Sequence, residues 1–161
     1  MLQSIYHSSL IFGLNTRLFI NALEGVTEAQ AKERISDHNN PLCWLAAHTV
    51  WARYNICGLL GKQVDNPYKG LFEGFKPFDP DYAYATLAEA KAEWQKASAL
   101  LTEALESVTE EHLAGDAPFK NPTGDSTIGG TIAFLAEHES YDVGQVAFLK
   151  KYFTKEAMSY N

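Results

Sequence analysis

The sequence predicts an all-α fold, a four-helix bundle with a long connection between its second and third helices. Three observations carry this expectation. The six prolines fall at 41, 67, 77, 80, 118 and 122, leaving the stretches 1–40, 42–66, 81–117 and 123–161 without an interior helix breaker. Each stretch repeats apolar residues at helical spacing. No segment shows the sustained alternation of a half-buried strand. At 161 residues the chain matches one domain spanning 1–161.

The first helix, expected near 2–23, spaces Leu2, Ile5, Phe12, Phe19 and Leu23 by three, four or seven residues, and Gly25 supplies its stop. Thr27-Glu28-Ala29-Gln30 has the form of a capping box and opens a short helical turn. The second helix, near 41–60, takes Asn40 as N-cap and Pro41 as its first residue. It runs through Leu42, Leu45, His48, Ala52, Ile56 and Leu59 to Gly61. Thr86-Leu87-Ala88-Glu89, a second capping box, opens the third near 86–107, with Ala90, Trp94, Ala97, Leu101, Ala104 and Leu105 on one face. The fourth opens at Ser126 or Thr127 and spans about 127–153. One of its faces reads Ile128, Thr131, Leu135, His138, Asp142, Gln145 and Leu149.

Connections in bundles usually take about two to eight residues, so 61–85 stands out. It carries Tyr68, Phe72, Phe75, Phe78, Tyr82 and Tyr84 among Gly, Pro and Asp. Two readings are compatible: the aromatics tack a long crossover onto the bundle, or they form a lid that walls a pocket at one end.

Composition narrows the function classes. Apolar residues make up 46% and charged residues 20%, which sets aside a disordered or fibrous chain. The net charge is −7 with no cluster of lysine or arginine, so the footprint of a nucleic-acid binder is missing. No apolar stretch is long enough for a membrane span, and the first basic side chain is Arg17, so a secretory signal is not expected. These features predict a soluble, cytoplasmic protein. Cys43 and Cys57 share the second helix, about 21 Å apart at 1.5 Å per residue, too far for a disulfide. They read as buried structural thiols rather than a catalytic cysteine.

Three titratable residues interrupt otherwise apolar faces: His48 in the second helix, and His138 and Asp142 in the fourth. A buried ionisable group costs free energy unless it is paired or bound to a metal. His138 and Asp142 are four residues apart and so project from one side of their helix. An imidazole and a carboxylate so spaced can converge on one cation, with His48 as third ligand from a facing helix. Were the two helices parallel, the histidines would lie within about 6 Å of one height. Spacing alone equally allows an exposed ion pair or a hydrogen-bonded core pair. His138-Glu139-Ser140-Tyr141-Asp142 shares the His-Glu start of the zinc-protease helix, but its second histidine is replaced and the rest of such an enzyme is missing. His7, His38 and His112 lie near helix starts or loops and are expected in solvent. No nucleophile elbow or phosphate-binding glycine loop is present, which argues against a serine hydrolase or a nucleotide enzyme.

Asn40-Pro41-Leu42-Cys43-Trp44-Leu45-Ala46-Ala47-His48 and His138-Glu139-Ser140-Tyr141-Asp142-Val143-Gly144-Gln145 resemble the DinB-like (YfiT-like) family over nearly the whole chain. The resemblance implies a four-helix bundle, a homodimer, and a divalent metal held by three histidines. The first matches His48 and the second His138, while the third falls at Asp142, where the pattern breaks. Two histidines and a carboxylate suit zinc, nickel, iron or manganese. Some relatives are thiol-dependent transferases or isomerases.

Two function classes follow. In one, His48, His138 and Asp142 hold a metal that activates a water or a low-molecular-weight thiol against a small-molecule substrate. In the other, the chain is a non-catalytic binding or assembly module that has lost the metal. Neither involves nucleic acid or a membrane, and no catalytic residue beyond the metal ligands is assigned.

Overall fold

The computed structural model describes residues 1–74 and 76–161, so Phe75 of the proposed lid lies outside the described residues. A 3-10 turn, Gln3–Ile5, leads into α1 (Tyr6–Leu23), followed by α2 (Glu28–Lys32), α3 (Leu42–Leu59), α4 (Leu87–Ser107), α5 (Glu110–Ala114) and α6 (Ile128–Thr154). The four long helices are the four expected. Among the described residues no strand forms, and the one β-bridge pairs Asp116 with Thr127.

Helix starts follow their local chemistry. Thr27 and Thr86 each make a full reciprocal capping box, with Gln30 and Glu89. Thr127 caps α6 by accepting from the Gly130 amide, and Asp125 in turn accepts from the Thr127 amide. Gly130 is required there, because a Cβ would strike the Asp125 side chain. At α3 the start shifts by one residue. Pro41, not Asn40, is the N-cap: its extended backbone (ψ 159°) leaves its carbonyl to accept from Leu45. The turn α5, capped by Thr109, had no sequence expectation. It brings His112 Nε2 within 2.9 Å of the Leu59 carbonyl, so His112 latches the end of α3 and is half-buried rather than solvated. His7 and His38 are exposed, as expected.

Chain direction follows from two apolar clusters at opposite ends of the bundle. One joins Leu18–Leu23 of α1, Leu42–Tyr54 of α3, Leu87–Ala97 of α4 and Val143–Leu149 of α6. The other joins Phe12, Ile56–Leu60, Leu101–Leu105 and Ile128–Ala136. Helices α1 and α6 therefore run one way, and α3 and α4 the other. This corrects the parallel arrangement considered for the histidine helices: α3 and α6 are antiparallel. It also explains the length of 61–85. Parallel α3 and α4 can be joined only by a chain that returns along the bundle. Buried Asn66 pins that return by donating to the Trp51 carbonyl and to Asn55 Oδ1.

Between the clusters lies a buried polar layer to which all four long helices contribute. Arg53 of α3 donates from Nε and Nη2 to the two carboxylate oxygens of Glu139 of α6, at 2.8 and 2.6 Å. Its Nη1 donates to Thr16 of α1 and Ser98 of α4, and Nη2 also to the Phe12 carbonyl. All five guanidinium N–H groups are thereby used. Asn15 donates to Glu139 Oε1, and the guanidinium stacks 3.5 Å over Trp94. Cys43 and Cys57 are free and buried, and burial pushes both thiols up, Cys57 to about 12.

Candidate metal centre

His48, His138 and Asp142 come together at the α3–α6 seam. One donor atom from each lies within 4.8 Å of the others. Asp142 Oδ2 stands 3.8 Å from His48 Nε2 and 3.8 Å from His138 Nε2. Antiparallel packing achieves this because His48 precedes the Arg53–Glu139 pair on α3 while Asp142 follows it on α6, on the same side of the polar layer.

The donors are held without hydrogen bonds that would explain them. Among the described residues, buried Asp142 Oδ2 and His48 Nδ1 find no hydrogen-bond partner, a costly state for polar atoms. Desolvation lowers the His48 imidazole to about 4, with His138 adding to the effect. Desolvation raises the Asp142 carboxyl to about 7, with Glu139 and Glu137 adding repulsion. The His48–Asp142 contact is therefore not an imidazolium–carboxylate ion pair at neutral pH, because burial keeps His48 neutral, and at 3.8 Å both contacts exceed a hydrogen bond. Neutral imidazole is the form a cation requires.

Donor geometry fits a cation. Three ligands at 2.0–2.2 Å in tetrahedral array lie about 3.3–3.6 Å apart. The two carboxylate–imidazole separations of 3.8 Å need to close by only a few tenths of an ångström, and the two imidazoles, within 4.8 Å of each other, by up to about 1.5 Å.

Aromatic rings wall the donors. Trp44 stacks on His48 at 4.9 Å, with Trp51 and Phe72 at 5.4 and 5.1 Å. Phe134 and Tyr141 stack on His138 at 5.7 and 6.4 Å. The walls come mainly from the helices. Of the described aromatics in 61–85, Phe72 alone contacts a site histidine, while Phe78, Tyr82 and Tyr84 pack on one another. A cavity of about 710 Å³ within that connection contains none of the three donors. The sequence carried a signal for the walls that spacing arguments missed. Each histidine has an aromatic four residues before it and three after: Trp44 and Trp51 around His48, Phe134 and Tyr141 around His138.

Glu139, which follows His138 as in the zinc-protease helix, has both carboxylate oxygens engaged by buried Arg53 and is not free to act as a base at the donors. Of the face expected for α6, Ile128, Thr131, Asp142 and Leu149 are buried and Leu135, His138 and Gln145 half-buried, and the buried face extends beyond it to Ile132, Ala136, Glu139, Val143 and Val146. Among the described residues no helix is long and apolar enough to cross a membrane.

The family model of the DinB superfamily matches residues 12–146. The fold is similar to the crystal structure of a conserved protein from Enterococcus faecalis, with a TM-score of 0.72 at 17% identity, covering 97% of this chain and 100% of that one. No curated protein matches the sequence. The chain belongs to the DinB superfamily.

Proposed function

We propose that, as a member of the DinB superfamily, the chain is a metal-dependent enzyme acting on a small molecule, with His48, His138 and Asp142 as ligands of one divalent cation. The observation that carries this is Asp142 Oδ2, buried, without a hydrogen-bond partner among the described residues and 3.8 Å from an imidazole nitrogen on each of two helices. Zinc, nickel, iron(II) and manganese all accept such a donor set. When bound, the ion supplies Lewis acidity, drawing a water or a small thiol toward its ionised form near neutral pH. That chemistry suits hydrolysis or group transfer involving a low-molecular-weight thiol.

The chain's own residues do the rest. Burial keeps His48 neutral and ready to donate a lone pair. Asp142 holds a proton on its carboxyl up to about pH 7 and releases it as the cation enters. Trp44, Trp51 and Phe72 shield the His48 side from water. The buried free thiols support a reducing, cytoplasmic setting. Exposed Leu10 and Leu14 on α1 support a homodimer.

A competing reading, a non-catalytic bundle that has lost the ion, draws on His48 Nδ1, which finds no acceptor among the described residues although metal-bound histidines usually donate from the second nitrogen. Melting curves of untagged protein with Zn²⁺, Mn²⁺, Ni²⁺ and anaerobic Fe²⁺ decide between them. At least one ion should raise the melting temperature, and His138→Ala should abolish the rise. No shift with any ion makes the non-catalytic reading the better account.

A further inference from the structure

An apolar groove of about 440 Å³ runs along the α3–α6 seam beside the donors. Leu45, three residues before His48, and Leu149 form its buried floor, and half-buried Ile35 and the exposed rings of Tyr141 and Phe148 line it. Tyr141 belongs to both places: it stacks on His138 and lines the groove. Gln145, three residues beyond Asp142, also lines it, so groove and donors are about 4.5 Å apart along the helix.

Three features point to a ligand. The volume lies in the range of small-molecule sites. No Asp, Glu, Lys, Arg or His lines the groove; its polar groups are Asn39, Asn40, Gln145 and the Tyr141 hydroxyl. Gly144 stands in the interior of α6, where glycine weakens a helix, and a Cβ there would meet nothing within 4 Å. The residue is exposed, and the open space at its missing side chain adjoins the groove that it lines.

We propose that this groove receives the uncharged alkyl or aryl part of a small molecule whose polar head reaches His48, His138 and Asp142. The head-group half rests on the metal reading above; the apolar half does not. A charged tail would be desolvated against buried Leu45 and Leu149 with no counter-ion in the lining, so the selectivity is for neutral chains.

Two probe series separate the halves. On metal-free protein, 1-butanol through 1-octanol, followed by amide chemical shifts, should perturb Gly144 and Gln145, with affinity rising about two- to fourfold per methylene. On zinc-loaded protein, acetohydroxamate through hexanohydroxamate should show the same slope. Gly144→Phe puts a ring at the groove lining and should flatten both slopes. Gly144→Ala, which adds one methyl group and favours the helix, should keep both slopes and serves as the folding control. Flat slopes in the unmodified protein, shifts centred on Tyr82 and Tyr84, or slopes that survive Gly144→Phe in a folded protein overturn the proposal. Alkanol slopes without any zinc binding leave the groove standing and overturn the metal reading and the head-group assignment with it.

Discussion

Replacing Arg53 by methionine is the sharpest test of how the bundle is held. Arg53 and Glu139 are both fully buried, and the guanidinium spends its five N–H groups on Glu139, Thr16, Ser98 and the Phe12 carbonyl. Methionine keeps much of the contact with Trp94 but leaves the Glu139 carboxylate with the Asn15 amide as its remaining donor. Breaking a buried pair by removing one partner costs about 3–5 kcal/mol, because the other charge is stranded. For a chain of 161 residues the unfolding entropy is about 0.34 kcal/mol per kelvin. Arg53→Met should therefore lower the melting temperature by about 9–15 °C. The double variant Arg53→Met/Glu139→Leu removes both charges and should recover most of that loss, since buried pairs replaced by apolar groups of similar volume often fold as stably. Calorimetry or circular dichroism at pH 7 reads both. A single variant that melts within 2 °C of the unmodified protein, or a double variant no better than the single, refutes the stranded-charge argument.

Asp142→His restores a third imidazole and should raise affinity for zinc relative to manganese, measured by competitive titration; an unchanged ratio counts against Asp142 as a ligand. Zinc affinity should rise about tenfold between pH 5 and pH 6 through Asp142 alone and level off only above about pH 7, because its carboxyl is raised to about 7; a plateau already reached at pH 5 would mean an ordinary carboxylate. Without metal, the two shifted groups oppose each other. Asp142, raised from 3.8 to about 7, favours the fold below pH 3.8 and loses that contribution as pH rises through 7. His48, lowered from 6.5 to about 4, favours the fold above pH 6.5 and loses that contribution as pH falls through 4. Urea midpoints between pH 4.5 and 6 should therefore change little from this pair, and substituting Asp142→Asn should unmask a fall toward acid. Light scattering at tens of micromolar should give about twice the 17.9 kDa chain mass; a clean monomer removes the dimer.

Local chemistry made the helices legible. Proline positions and the Thr27 and Thr86 boxes act within one turn, so α1, α3, α4 and α6 follow from sequence to within a few residues. The trio was legible for the same reason: titratable side chains on apolar faces must find a partner, and the i, i+4 spacing of His138 and Asp142 is a property of one helix. The tryptophan and tyrosine flanks obey the same rule and were there to be read. What the sequence left open depends on residues far apart in the chain. Direction was one such matter, since apolar periodicity is the same whether a helix runs up or down. Only the division of the core into two clusters separates the α1–α6 pair from α3–α4 and accounts for the length of 61–85. Pairing was another: Arg53 and Glu139 each sit on a core-facing stripe, which calls for a counter-charge, but 86 residues separate them. Their match, and with it the approach of Asp142 to both histidines, exists only once the helices are packed, because a buried charge selects its partner by distance in space and not along the chain.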